Sequence, residues 1–146
     1  MKIRDIRKTT PTALQTISPD HTVHEAIRLL CRHNIGALPV VDIEGTLVGI
    51  VSERDVLRLC SHDDCQERLG LRVRDVMTRE LVVGVPDDSV DYVMRVMTEK
   101  RIRHLPVLED RRLVAIVSIG DVVKAQFDRN ETEIRFLRDY MQGALA

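Results

Sequence analysis

The chain has few of the residues that mark several large classes of protein. Its 146 residues include three cysteines, two tyrosines, two phenylalanines and no tryptophan. The cysteines form no CxxC pair and leave one over, which argues against a disulfide framework and favours a reducing compartment. With so few rings, a surface that stacks nucleic-acid bases is disfavoured.

Net charge and long hydrophobic runs are also missing. Twenty-two Lys and Arg against 23 Asp and Glu give a formal charge of −1, so no global positive field attracts nucleic acid or an anionic membrane. The longest apolar runs, such as 47–51, are far too short to span a bilayer, and no signal-peptide core follows Met1. We therefore expect a soluble cytoplasmic protein with no membrane partner, no nucleic-acid partner, and any anion site confined to a local cluster.

The sequence contains an internal repeat. Residues 23–58 align with residues 90–124 once one residue is dropped from the turn around Gly45, and the alignment gives 13 identical pairs. Because equivalent positions of two copies should occupy equivalent places in the fold, the repeat guides the interpretation of the other residues. We predict one copy over residues 1–66, a second over 67–125, and a C-terminal helical extension over 126–146.

Each copy has the pattern of a β-α-β-β-α unit. In the first, Thr22 and Glu25 form a capping box before a helix at 23–33, strands follow at 37–42 and 47–51, and a helix begins after Ser52. The second copy repeats this with a helix at 92–100, strands at 104–108 and 113–117, and a helix beginning at Ser118. We predict an α/β (α+β) fold. A small sheet covered by helices on one face leaves its other apolar face exposed, so the two copies should pack together with pseudo-twofold symmetry.

Two segments lie outside the repeat. The connector 61–72 is polar, and its cysteines, histidine and aspartates are interpreted as a solvated linker rather than a metal site. The tail 124–142 has apolar residues near helical spacing, which fits either a cap on the chain's own core or a contact with another subunit. No Walker loop, GxGxxG or catalytic triad is present, so we predict no enzyme activity, no catalytic residues and no bound metal.

A Ser-x-x-Asp motif opens the last helix of each copy, as Ser52 with Asp55 and as Ser118 with Asp121. From spacing alone it is a capping box, which needs no ligand. A fixed carboxylate at a helix start can equally accept two hydroxyl groups of a ligand. Both interpretations stay open, and both roles can coexist.

The stretch Val48-Gly49-Ile50-Val51-Ser52-Glu53-Arg54-Asp55 and its counterpart Val114-Ala115-Ile116-Val117-Ser118-Ile119-Gly120-Asp121 resemble the tandem CBS (cystathionine-β-synthase) domain pair, or Bateman module. The resemblance covers residues 3 to about 125 and extends to small stand-alone bacterial CBS-pair signal-transduction proteins. It implies a cleft between the copies that binds an adenosine compound: AMP, ADP, ATP, NAD(H) or S-adenosylmethionine, with AMP or NAD(H) favoured.

The resemblance also assigns candidate site residues. It implies that the ribose is held by Ser52, Asp55, Ser118 and Asp121, and that phosphate contacts come from Arg54, Arg103 and His104. Expected adenine walls are Thr16, Ile17, Ile35 and Pro39 in one copy and Val83, Val85, Ile102 and Pro106 in the other. Gly49 predicts a roomier backbone approach to a ligand in the first copy, and the cations predict better phosphate binding in the second.

The resemblance further implies a homodimer whose contacts include the apolar faces of the helices at 23–31 and 90–97. The predicted function is a regulatory sensor of an adenosine nucleotide that signals through an unknown effector protein or through the dimer itself. The alternative is a scaffolding CBS dimer without a working ligand site, in which the motif residues serve only as helix caps.

Overall fold

A computed structural model describes residues 1–9 and 14–145. In chain order its elements are α1 (Ile3–Thr9), α2 (Val23–His33), β1 (Ala37–Val41), β2 (Leu47–Ser52), α3 (Glu53–Cys60), α4 (Cys65–Arg68), α5 (Val73–Val76), α6 (Val90–Lys100), β3 (His104–Glu109), β4 (Arg112–Ser118) and α7 (Ile119–Leu145). The mixed fold with two small antiparallel sheets confirms the predicted class. The short helices α1, α4 and α5 were not predicted.

The sheets are two hairpins, β1 with β2 and β3 with β4. The strand expected before α2 is reduced to a single bridge, in which Ile17 N donates to Pro39 O at 3.0 Å and Val41 N donates to Ile17 O at 2.9 Å. Pro19 follows two residues later and has no N–H to extend the ladder. Ile17, one of the adenine-wall candidates, is therefore held beside β1 by its main chain.

Matching caps delimit α2 and α6. Thr22 Oγ1 accepts from Glu25 N at 3.2 Å while Glu25 Oε2 accepts from Thr22 N at 3.0 Å, so the predicted capping box is present. Both helices end in a left-handed residue, Asn34 with φ 51° and Arg101 with φ 54°. This conformation stops each helix and turns the chain into the following strand.

The described structure divides into two compact units, each built from separate stretches of chain. One comprises Thr12–Val83 with Pro106–Ile116, and the other comprises Met1–Pro11, Gly84–Leu105 and Val117–Ala146. The first has a core that includes Ile17, Leu38, Val40, Val51 and Val73. The second buries Ile3 and Val122 together with residues of α6.

The short helices α1 and α5 occupy equivalent places. Within one unit, Ile3 N donates to Asp88 O and Arg4 N to Pro86 O, both at 3.0 Å. Within the other unit, Val73 and Arg74 repeat these bonds to His21 and Pro19, at 2.8 and 3.0 Å. The start of the first copy is thus bonded to the second copy's chain, and the start of the second copy is bonded to the first copy's chain.

The apolar faces of α2 and α6 are used within their own units. Val23, Ala26 and Leu30 of α2 are buried, as are Val90, Val93 and Met97 of α6. A side chain that is fully buried in one chain has no surface to offer a second chain. Any subunit contact of these helices therefore relies on outward residues such as the half-buried Ile27 and the exposed Tyr92.

The helix predicted from Ser118 and the predicted tail helix are one continuous helix, α7, of 27 residues. Val122 is buried, whereas every residue from Phe127 to Gly143 is exposed. In the described part of the chain, α7 included, no helix is both long and apolar enough to cross a membrane.

Candidate functional site

In the first copy, Asp55 is fixed at the start of α3. Its Oδ2 accepts hydrogen bonds from Ser52 N at 2.9 Å and Ser52 Oγ at 3.1 Å. Ser52 is the N-cap residue, and both side chains are half-buried. A carboxylate held in this way is oriented before any ligand arrives, because the helix start dictates its rotamer.

The second copy repeats the main-chain bond at the start of α7, but its serine hydroxyl accepts a hydrogen bond where that of Ser52 donates one. Asp121 Oδ2 accepts from Ser118 N at 2.8 Å, and Ser118 Oγ accepts from Asp121 N at 3.1 Å. The helix-cap interpretation is thus confirmed for both motifs. A carboxylate has about four acceptor positions, so this role leaves capacity for hydroxyl donors.

A second chain segment lies beside each motif. Glu53 N donates to Gly36 O at 3.0 Å, and Ile119 N donates to Arg103 O at 2.8 Å. These bonds place the loop between helix and strand next to the Ser-x-x-Asp turn in both copies. The sequence predicted the loop and the Ser-x-x-Asp turn as separate features, and the structure shows that they are hydrogen-bonded neighbours.

The loop differs chemically between the copies. In the first it carries the half-buried Ile35 and Gly36 with no charge, and in the second it carries the half-buried Ile102 with the exposed Arg103 and the half-buried His104. Arg54, the third phosphate candidate, is exposed on the first turn of α3. The structure therefore brings Arg103 close in the chain fold to Ser118 and Asp121.

Thr78 contacts the first motif and is not among the site residues predicted from the sequence. Its Oγ1 donates to Asp55 Oδ1 at 3.3 Å, and its main chain exchanges two hydrogen bonds with Ile50 at 2.8 and 3.0 Å. It lies two residues after the end of α5. The sequence offers one signal for this contact: Arg4-Asp5 and Arg74-Asp75 recur near the start of the two copies, which marks these segments as part of the repeated unit.

The expectation of a roomier approach at Gly49 is wrong. A Cβ on Gly49 would lie 2.5 Å from Met77 Sδ and 3.0 Å from Thr78 O. The space that the missing side chain leaves is filled by the chain itself. Gly49 is therefore explained by close packing of residues 77–78 against β2.

The adenine-wall candidates fall into two groups by burial. Ile17, Pro39 and Pro106 are buried, and Ile17 belongs to the core of its unit. The others are half-buried or exposed: Thr16, Ile35, Val83, Val85 and Ile102. Only the second group has side-chain surface for a ligand in this conformation.

Metal ligands do not cluster in the described residues. No group of three or more His, Cys, Asp or Glu side chains is arranged there to hold an ion. In the connector, Arg68 forms an ion pair with Asp64 at 2.8 Å and lowers the pKa of that carboxyl.

Comparison with known sequences places the repeat in a family. The CBS domain model matches residues 3–62 and 73–128. CBS domain-containing protein YhcV of Bacillus subtilis is 37% identical over 122 residues, which cover 83% of this chain and 84% of YhcV. The mitochondrial CBS domain-containing protein CBSX3 of Arabidopsis thaliana is 39% identical over 128 residues, which cover 85% of this chain and 62% of CBSX3.

Solved structures show the same fold. The CBS-domain protein ATU1752 from Agrobacterium tumefaciens superposes with a TM-score of 0.82 at 36% identity, over 86% of this chain and 99% of ATU1752. CBSX2, solved in complex with AMP, has a TM-score of 0.74 at 30% identity over 88% of this chain and 98% of CBSX2. The CBS domain pair of protein MJ0100, solved with 5-methylthioadenosine and S-adenosyl-L-methionine, has a TM-score of 0.74 at 28% identity over 88% and 98%. With two matched copies over most of its length, this chain belongs to the CBS domain family as a CBS domain pair.

Proposed function

We propose that this CBS pair is a cytoplasmic regulatory module that binds an adenosine nucleotide and passes its occupancy to an effector protein or to a second copy. The observation that carries the proposal is the repeated Ser-x-x-Asp turn, in which the aspartate Oδ2 accepts from the serine main-chain N in both copies. Related CBS pairs were solved with AMP, and with 5-methylthioadenosine and S-adenosylmethionine. All three ligands contain adenosine, so the shared ribose is the group that the aspartates would recognise.

The second copy is the stronger candidate for a phosphorylated ligand. Asp55 Oδ1 accepts a hydrogen bond from the Thr78 hydroxyl at 3.3 Å. A ribose at Asp55 would have to compete with the Thr78 hydroxyl. Arg103, beside the Asp121 turn, adds a cation for phosphate. We therefore infer that AMP or NAD(H) binds more tightly at Asp121 than at Asp55.

The proposed mechanism is a shift between two conformations of the pair. A ligand changes their balance only by its differential affinity for the two states. In this mechanism the regulated activity would belong to an effector protein.

The proposal is tested by thermal unfolding and calorimetric titration with AMP, ADP, ATP, NAD, NADH and S-adenosylmethionine. A ligand at 100 times its Kd stabilises the folded state by about 2.7 kcal/mol. Asp121→Asn keeps an acceptor oxygen for the helix cap but removes the charge that accepts two ribose hydroxyls. We expect it to weaken binding by about ten- to a hundredfold, since a hydrogen bond to a charged group contributes roughly 1.5–3 kcal/mol.

Glu25→Gln is the matched control, because Glu25 occupies the same capping-box position in α2 and lies outside the motif. It should leave the ligand response intact. Asp55→Asn reports on the first copy and should weaken binding less than Asp121→Asn.

The scaffold alternative is supported by the cap geometry, which accounts for both aspartates without a ligand. If none of the six compounds changes the unfolding midpoint, this alternative replaces the sensor. If a compound binds equally well to both aspartate variants, the ribose assignment is wrong.

A further inference from the structure

The C-terminal part of α7 is a long exposed helix with an apolar stripe. Phe127, Leu137 and Met141 are 64, 57 and 63% exposed. The contacts of α7 with α6 and α1 lie within its own unit, and Val122 is buried near the start of the helix. In proteins most helical stability comes from packing of the apolar face. The exposed stripe therefore requires a cover that the described residues do not supply.

The spacing of the stripe identifies the kind of cover. Its members alternate at three and four residues: Phe127, Asn130, Ile134, Leu137 and Met141. These are successive a and d positions of a heptad, with Phe127 at a. A repeat of 3.5 residues is typical of a helix that supercoils around another helix. Phe136 and Tyr140, each 69% exposed, lie outside this stripe.

The flanking charges complement a second copy of the same helix. Glu133 is at a g position, and Arg138 is at the e position five residues later. In a parallel pair, g of one helix faces e of the other, so Glu133 of each copy would meet Arg138 of the second copy. In an antiparallel pair that keeps Ile134 opposite Leu137, Glu133 would instead face Tyr140.

Asn130 favours the same orientation. In the parallel pair it lies opposite the second copy's own Asn130, and two amides can donate to and accept from each other. In the antiparallel register it would lie against Met141, which supplies only a weak sulfur acceptor. A polar residue within a coiled-coil seam commonly specifies register and partner.

We propose that α7 pairs with α7 of a second copy through residues 127–141 as a parallel two-stranded coiled coil, which makes the protein a homodimer. This inference rests on the helix alone and does not depend on nucleotide binding. It gives the exposed seam a defined occupant and would bring the C-terminal ends of two CBS pairs together.

The first test compares Leu137→Lys with Phe136→Lys in the full chain by sedimentation equilibrium. Both side chains are exposed, at 57 and 69%, so neither variant removes a contact of the chain's own core. Leu137 lies on the seam, whereas Phe136 occupies a c position away from it. A lysine within the seam should raise the dimer Kd by about 100-fold or more, because it buries a charge without a partner, and Phe136→Lys should change it by less than about threefold.

The second test reverses charges. Glu133→Arg and Arg138→Glu should each weaken the dimer, and the double variant should restore it, because each parallel pair is then re-formed with exchanged signs. Glu133 also pairs with Arg129 at 3.4 Å in its own helix, so helix content is followed by circular dichroism in each variant. The coiled coil is wrong if the wild-type chain stays monomeric at 100 times the concentration used to compare the variants. It is also wrong if Phe136→Lys and Leu137→Lys weaken the dimer equally. Failure of the double variant to recover overturns the parallel orientation.

Discussion

At the scale of single residues, the turn between β3 and β4 holds an avoidable strain. Asp110 and Arg111 have φ angles of 52° and 64°, so both central residues of this two-residue loop are left-handed. Such a turn matches the twist of a hairpin but favours Asn or Gly. The first copy, one residue longer here, places Gly45 at φ 85° in the equivalent turn.

Arg111→Gly should therefore stabilise the protein. Removing the Cβ relieves about 1–2 kcal/mol of left-handed strain, and the greater freedom of glycine in the unfolded chain offsets about half of that. We expect a net gain of about 0.5–1 kcal/mol and a rise in Tm of about 2 °C, measured by thermal and urea unfolding.

Arg112→Gly is the control for this change. Arg112 begins β4, where glycine weakens a strand, so this variant should lower Tm. A fall in Tm with Arg111→Gly would mean that contacts of the arginine side chain outweigh the backbone strain.

At the scale of elements, α1 is fastened by charge as well as by main-chain bonds. Arg4 Nε donates to Asp87 Oδ1 at 2.9 Å, and the guanidinium, with a smaller contribution from Lys2, holds the pKa of Asp87 below its ordinary value. A carboxyl whose pKa is lower when folded contributes stability above its unfolded pKa. That contribution is lost as pH falls through the folded pKa.

Asp87→Asn should thus destabilise the protein at neutral pH and make no difference in strong acid. Urea unfolding between pH 7 and pH 2 measures the difference in unfolding free energy between wild type and variant. This difference should shrink as acid protonates Asp87 in the wild type. The difference in unfolding free energy between wild type and Arg4→Gln should shrink in the same way as pH falls. A difference that is constant with pH would show that the pair contributes nothing beyond packing.

At the scale of the whole molecule, the exposed part of α7 is separable from the folded units. The buried Val122 belongs to the part of α7 that precedes Phe127, and no residue from Phe127 to Gly143 is buried. A chain that ends at Gln126 should therefore keep its secondary structure and any nucleotide response, while losing association between copies. A dimer's Tm rises with concentration, so the wild-type Tm should do so and the shortened chain's Tm should not.

Circular dichroism, thermal scans at several concentrations and titration with AMP check this expectation. Loss of folding on truncation would show that the tail supports the units directly. A dimer that persists without the tail would move the subunit contact to another surface.

Local patterns in the sequence determined much of this structure. The helix Val23–His33 was predicted with its bounds because Thr22, Glu25 and Asn34 fix both of its ends by neighbouring hydrogen bonds. The four hairpin strands and the helix starts at Ser52 and Ser118 were predicted for the same reason, since β-branched runs and capping boxes act over a few residues. Two matched copies of these patterns also carried the resemblance to CBS pairs.

Contacts between distant residues were decided only by the tertiary structure. Thr78 reaches Asp55 across 23 positions, and Met77 fills the space at Gly49 across 28, so neither contact leaves a periodic trace in the sequence. The bonding of α1 to residues 86–88 likewise spans more than 80 positions. Sequence by itself determined the repeat, its helix caps and the two aspartates. Tertiary structure decided what packs against those aspartates and which side of α7 stays uncovered, because burial depends on chain segments that meet only when the whole chain has folded.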